Sequence, residues 1–453
     1  MTLPTTPGTS AGAAAGTAPE SAEDRRLYAK IGWRLMPLLL AAYVIAFLDR
    51  INVGFARLQM QQTLDFSDAV YGLGAGIFFV GYLLFELPSN LVLQKIGARK
   101  TLLRIMVCWG VAAMAIAFVR TPTQFYVLRF LLGAFEAGFT PGVLLYLTYW
   151  FPSARRGRMI AIFLIGAIGA STIAGPLSGA IMKFFDGNGG LHGWQWLFLV
   201  QGLPAPLLGL LAWWWLDDKP AHAAWLSAAE KARVQQQLDA DGASATQAAH
   251  GSLADLLRDP KVWALSLAYV FVVAGTYAIA FWTPVLIKSW GVTDLLHIGL
   301  YAALPQLFAM VGVVLMARSS DRRRERRWHF AAGSLMAVIG LGVIALSQGQ
   351  LAASMAGLCL GVVGIASIPP VFCALTSEYL SRATVAAGMA LVSSLGNIGG
   401  AISPSLTGAI TAKAGQAAAM AFVMSLYVLA TLIVLAATRR AAPAVTTQTA
   451  PVA

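Results

Sequence analysis

Four ionisable residues stand inside long apolar runs of this 453-residue sequence: Asp49 and Arg50 in one run, Arg129 and Glu136 in another. Holding a charge in hydrocarbon costs at least ~2.5–3.5 kcal/mol by insertion scales, so each needs a partner or a purpose. Arg129 and Glu136 are seven positions apart, which in a helix puts them on one face about 10 Å apart along the axis. Asp49 and Arg50 are consecutive and point about 100° apart, so one can face a cavity while the other meets a neighbouring helix. A pair across helices, such as Asp49 with Arg129, would neutralise both. Two chemistries fit these residue types. One is structural ion pairing; the other sets a carboxylate that takes up a proton beside an arginine that receives substrate charge. Burial favours the neutral form of a carboxyl and a nearby guanidinium favours the ionised form, so arrival of a substrate can tip the balance. A guanidinium also presents a planar donor fork that matches a carboxylate, which favours an anion over a cation or a neutral sugar. Glu86 is a shallower fifth acid, and the C-terminal half has no charge in its hydrocarbon stretches.

These groups need an apolar scaffold, and the composition supplies one. Hydrophobic residues make up 58% of the chain and charged residues 11%, against about 25% charged in an ordinary soluble protein. Lipid must therefore solvate much of the surface. A spanning helix needs about 20 mostly apolar residues. Such stretches fall near 33–57, 69–93, 101–119, 123–149, 158–183, 193–216, 261–287, 296–317, 328–347, 351–376, 384–411 and 415–437. The expected fold is an all-α membrane protein of twelve transmembrane helices in two six-helix pseudo-symmetric bundles. Residues 1–30 read as a disordered tail, 31–216 as the N-terminal bundle, 217–260 as a linker, 261–437 as the C-terminal bundle and 438–453 as a second tail. Ser227 followed by Glu230 is a capping-box pattern that starts a short surface helix in the linker.

Charge placement orients this arrangement. With both termini cytoplasmic, only Arg57, Arg120, Lys183, Lys288 and Lys413 of the 32 Lys and Arg residues lie outside, and Arg50 and Arg129 lie within the membrane. That bias is what the positive-inside rule requires, so the net charge of +12 signals orientation and not nucleic acid. The first residues lack the basic and apolar regions of a signal peptide. Cys108, Cys359 and Cys373 sit in apolar runs and imply neither disulfides nor a metal, and no two of the five histidines have ligand spacing. Pro141, Thr148, Ser153 and Pro176 recur 228 positions later as Pro369, Thr376, Ser381 and Pro404. A duplicated pair of bundles favours alternating access around a site near the midplane.

At these residues the chain resembles the major facilitator superfamily, and within it the anion:cation symporters of organic acids, over about residues 25–437. The run Phe47-Leu48-Asp49-Arg50-Ile51-Asn52 resembles that family's first-span signature. Phe85-Glu86-Leu87-Pro88-Ser89-Asn90 with Gly97-Ala98-Arg99-Lys100 resembles its second-span and loop motif. Arg129 to Gly138 is similar to its fourth-span motif, and Trp194 to Phe198, Gly202-Leu203-Pro204 and Asp217 to Pro220 to its sixth-span block. The resemblance implies proton-driven uptake of small organic acids such as tartrate, phthalate, hydroxyphenylacetate or sugar acids. It places Asp49, Glu136 and Arg129 in proton coupling, Arg50 against the substrate carboxylate, and Asn397 and Tyr269 as further substrate contacts. It makes Asn90, Gln94, Gly97, Arg99, Lys100, Asp321 and Arg322 gate-motif residues. Asn90 and Gln94 depart from the Gly and Asp usual at their places in that motif, which removes the usual gate salt bridge.

The implied protein is not an enzyme and has no cofactor besides protons as coupling ion. Its partners are a small organic anion and the bilayer, as a monomer in a bacterial cytoplasmic (inner) membrane. Aromatic residues of the second half (Tyr269, Tyr277, Trp282, Tyr301, Phe372) read as packing or interface residues, or as a cavity lining suited to an apolar monocarboxylate. A proton-driven exporter of drugs or metabolites is the alternative. A membrane sensor or enzyme is disfavoured because the longest polar stretch is too short for most folds.

Overall fold

The computed structural model describes residues 21–248, 253–347, 350–380 and 384–438, and among them regular structure is helical throughout. Eleven of the helices are long and apolar enough to cross a membrane. The last of these, Val385–Ala437, contains 53 residues, about 80 Å of helix against a hydrocarbon core of about 30 Å. It breaks at Gly415, whose φ of 82° and ψ of 176° are non-helical, so it provides spans eleven (385–414) and twelve (416–437). Gly97, between spans two and three, has nearly the same conformation (φ 88°, ψ 165°). One residue with positive φ reverses the chain at both places, and glycine adopts that backbone without steric cost.

Spans one to six are Ala22–Thr63, Asp68–Ile96, Ala98–Phe118, Pro122–Thr148, Ser153–Phe184 and Gly193–Trp215. Spans seven to ten are Pro260–Ser289, Leu295–Arg323, Arg327–Leu346 and Leu351–Tyr379. Local signals set several of the starts. Ser67, Thr121, Asp259 and Asp294 each accept a backbone N–H of the helix they precede, which satisfies donors left free in the first turn. Span one begins at Ala22, so part of the segment expected as a tail is helix. The linker helix runs Ala228–Ala248, longer than expected, and its capping box is formed in both directions: Ser227 N–H donates to Glu230 (2.8 Å) and Glu230 N–H to Ser227 Oγ (3.2 Å). These bonds and the Lys30 ammonium hold the Glu230 carboxyl below its ordinary range. The helix is tied to the N-terminal bundle by Lys30–Glu230, Tyr28–Gln237 and Arg233–Asp24. The expected second tail lies almost wholly outside the described residues, as does Ser381.

The arginine run near Arg322, the linker and the start of span one share one face, which we call the basic face; the opposite one is the far face. The two bundles are clamped over the far half of the membrane. Span five meets span eight where a Cβ on Gly175 would stand 2.3 Å from the Gly299 carbonyl. Span two meets span eleven where a Cβ on Gly72 would stand 2.4 Å from the Pro404 carbonyl. Small residues let such backbones touch and gain dispersion contact that lipid cannot supply. Pro176 and Pro404, related by the internal repeat, thus sit at the two matching seams. Tyr71 Oη to the Phe281 carbonyl, Ser405 Oγ to the Gly72 carbonyl and Lys183 to Asp294 add hydrogen bonds between the bundles on the same side. Arg57, assigned to the outside by charge counting, is buried in this seal. It pairs with Asp68 and lies over the rings of Tyr71 (4.7 Å) and Trp282 (4.9 Å). The seal is therefore on the far face.

Candidate functional site

Span four does not cross as one continuous helix. Its first part, Pro122–Glu136, ends at the acid, and Phe139 starts the second part. Between them Ala137 (φ −55°, ψ 134°) and Gly138 (φ 86°, ψ −6°) have the angles of a type II turn, whose third residue needs positive φ. A Cβ at Gly138 would also stand 2.5 Å from Ser89 Oγ of span two. Broken backbone is tolerated at membrane depth where protein covers it or it lines a cavity. This break makes Glu136 the terminal residue of its helix segment.

The Glu136 carboxylate pairs with the Arg50 guanidinium of span one, and its other oxygen, Oε2, is buried without a partner. From Nη1, Arg50 donates to the Tyr277 hydroxyl of span seven at 3.1 Å. Its guanidinium also lies 5.3 Å from the Tyr82 ring and 5.5 Å from the Phe78 ring, within reach of cation–π attraction. Glu136 is 1% exposed, and the Arg50 side chain retains 13%. Beyond Arg50 toward the far face come Gly54, packed on the Phe281 backbone, and then Arg57. About 11 Å of span one, taken from Arg50 to Arg57, separates the site from the buried arginine of the seal. Arg50 therefore sits where both bundles meet, on the basic-face side of the seal.

The expected Asp49–Arg129 pair is not formed. Asp49 is 1% exposed and accepts from Trp109 Nε1 of span three at 2.9 Å, with Asn52 Nδ2 at 3.5 Å. Being next to Arg50, it diverges by about 100° around the helix and turns into the N-terminal bundle. Arg129 is fully buried, donates from Nε to the Gly74 carbonyl at 3.1 Å and lies 4.9 Å over the Phe78 ring. Its Nη1 and Nη2 have no hydrogen-bond partner. The ion pair that does form, Arg50 with Glu136, joins spans one and four.

Tyr269 and Asn397 belong to spans seven and eleven of the C-terminal bundle, and neither bonds directly to that ion pair. Tyr269 stacks on Phe372 with centroids 4.9 Å apart at 13°, and Gly396, beside half-buried Asn397, gives its ring room. The gate-motif residues bind within their own bundles. Arg99 N–H donates to Asp218 (2.9 Å) and its Nε to the Trp213 carbonyl (3.0 Å), while Asn90 donates to the Glu86 carbonyl (2.8 Å). Gln94 and Lys100 are exposed. Asp321 pairs with Arg326 and not with Arg322, and Arg326 also reaches Glu378. Sequence reasoning placed Tyr277 only among general aromatics and did not single out Trp109 or the Gly74 carbonyl. A tyrosine or tryptophan in an apolar run carries no mark of which helix it faces. No group of three potential metal ligands occurs among the described residues.

Two pseudo-symmetric bundles, closed on one face around a buried charged site, define a membrane transporter and not an enzyme. The chain belongs to the Major Facilitator Superfamily, whose profile matches residues 39–372. It is 46% identical over 401 residues to a metabolite transport protein of Pseudomonas putida, NicT, covering 88% of this chain and 92% of that one. It is 41% identical over 430 residues to a protein of Agrobacterium vitis named for tartrate transport, covering 94% of each chain. A quinolone resistance transporter of Acinetobacter baumannii is 40% identical over 405 residues, covering 89% of this chain and 92% of its own. Among solved structures, a bacterial homologue of the human lysosomal transporter Spinster matches the fold with a TM-score of 0.74 at 18% identity, over 95% of this chain and all of that chain.

Proposed function

We propose that this protein is a proton-coupled symporter that takes up a small organic carboxylate by alternating access. The observation that carries this reading is the Arg50–Glu136 pair on the basic-face side of the seal, with Tyr277 of the opposite bundle bonded to the same guanidinium. A substrate carboxylate competes with Glu136 for Arg50. Once displaced, Glu136 is a buried anion without its counter-ion, which is costly unless it binds a proton. Proton uptake and anion binding thus favour each other, and Asp49 offers a second carboxyl in the same bundle. Because Tyr277 reports the same event to the other bundle, occupancy of Arg50 is coupled to how the halves are held together. The tartrate-named relative supports a carboxylate. Tyr269 and Asn397 are suited to contact the substrate body, and the gate-motif residues to hold the loops of each bundle.

By charge bias the basic face is cytoplasmic, in a bacterial inner membrane, and a seal on the far face fits an inward-facing state. The test is uptake of a panel of radiolabelled organic acids in vesicles with an imposed pH gradient. One or more acids should accumulate, and collapse of the gradient should abolish accumulation; indifference to the gradient would overturn proton coupling. The quinolone resistance relative favours a second reading, proton-driven export. It predicts that no acid of the panel accumulates and that expression lowers cellular quinolone content.

A further inference from the structure

The face of span eight that looks away from its neighbours is an exposed apolar stripe. Leu300, Leu304, Leu307, Phe308, Val311 and Leu315 follow one another at spacings of three and four or one, and all are exposed, as expected of a helix side turned to lipid. Arg318 and Arg322 continue that stripe at the basic face. From Leu300 to Arg318 the helix rises about 27 Å, close to the thickness of the hydrocarbon core. Arg318 therefore stands at headgroup level, and exposed Trp328 at the start of span nine is a residue type favoured at that depth.

Around these arginines lies a cleft of about 300 Å³ lined by Leu315, Arg318, Ser319, Arg322 and Arg323. The nearby acids are already engaged. Arg326 takes both Asp321 and Glu378. Glu325 accepts the backbone N–H groups of Trp328 (2.7 Å) and His329 (3.2 Å) and the His329 ring, which hold its carboxyl below the ordinary range against the opposing effect of partial burial. Arg318, Arg322 and Arg323 are exposed and form no ion pair with a described residue. Three guanidinium groups line one cleft without an ion pair to any described carboxylate to balance them.

We propose that this cleft binds the phosphodiester headgroup of an anionic phospholipid from the leaflet on the basic face. Guanidinium forks fit phosphate oxygens in pairs. Leu315 and the stripe beyond it run along the acyl chains, which selects a lipid over a soluble phosphate compound. The assignment rests on the membrane-spanning fold and not on the identity of the transported substrate.

The experiment is a titration of full-length purified protein with phosphatidylglycerol, phosphatidylcholine or inorganic phosphate, read by thermal melting and by native mass spectrometry of bound lipid. Phosphatidylglycerol should raise the melting temperature and remain bound, and the other two should do neither. The R318Q/R322Q/R323Q variant should lose about fivefold in lipid affinity per arginine, on the order of a hundredfold in all. R318K/R322K/R323K, which keeps the charge but not the fork, should bind more tightly than the Gln variant and less tightly than the unmodified protein, which separates charge from folding. An R25Q/R26Q variant, altered at exposed arginines of span one, should bind as the unmodified protein does. Equal binding by the triple Gln variant and the unmodified protein would overturn the site. An equal effect of inorganic phosphate would overturn the lipid as ligand.

Discussion

Replacing Arg50 by lysine tests the anion site while keeping its charge. In the structure one guanidinium addresses two partners at once, Glu136 through Nη2 and Tyr277 through Nη1. A lysine offers one nitrogen on an unbranched stem and cannot present a planar fork to a carboxylate. The variant should therefore lose one of two charge-assisted hydrogen bonds to the substrate, about 1.5–3 kcal/mol, or on the order of 10- to 150-fold in Kd. Equilibrium binding of a radiolabelled acid found in the uptake panel measures this directly, with melting temperature as a check on folding. Tyr277→Phe is the companion, since it removes a neutral partner and leaves the fork intact. Its loss should be about 0.5–1.5 kcal/mol, or roughly 2- to 12-fold. Unchanged affinity in Arg50→Lys would refute the assignment of Arg50 to the substrate.

Glu136→Gln keeps the shape of the side chain but removes its proton chemistry. Net uptake driven by a pH gradient should fall far more than exchange of internal for external substrate, and equal losses would count against coupling through Glu136. Gly175→Leu should wedge the seam between spans five and eight, because even a Cβ there would stand 2.3 Å from the Gly299 carbonyl. With Cys108, Cys359 and Cys373 replaced by alanine, a Ser405→Cys reporter should become reactive to an impermeant maleimide; an unreactive reporter would mean the far face stays shut. Asp294 has its carboxyl held below the ordinary value of 3.8, first by its bond to Lys183. Protonation breaks that tie, so its contribution to far-face closure is present above pH 3.8 and is lost only at more acidic pH. The same reporter should show no change between pH 7 and 5 and a loosened seam in Asp294→Asn at both.

Much of this architecture was legible because apolar run length and charge placement are properties of single segments. The spans, the linker helix start at Ser227 and the placing of Asp49, Arg50, Arg129 and Glu136 within spans all follow from such local signals. What pairs with what was not legible. Helical spacing gives the angle between Asp49 and Arg50 but not which neighbour each direction meets: Arg50 meets Glu136, while Asp49 meets Trp109 and Asn52 and not an arginine. The burial of Arg57 was not legible for a related reason. Its position near a span end suggests solvent, while Asp68, Tyr71 and Trp282 of other helices enclose it. The one-residue turns at Gly97 and Gly415 were visible only as glycines between apolar runs, and their positive φ emerges from the fold.

The charged quartet Asp49, Arg50, Arg129 and Glu136 has consequences for the energy supply of the proposed cycle. With both acids ionised its formal charge is zero, so the empty carrier moves no charge of this cluster when it switches. A monocarboxylate entering with one proton leaves that sum unchanged, and the membrane potential then does no work on the loaded step. Accumulation would be limited by the pH gradient alone, about tenfold, or 1.36 kcal/mol, for each pH unit. A dicarboxylate with one proton would instead carry one net negative charge and be opposed by about 2.3 kcal/mol per 100 mV of interior-negative potential. Two carboxyls in the quartet permit a second proton, which would restore electrical silence. Whether the potential alters uptake therefore reads out the charge of the substrate against the number of protons these two acids deliver.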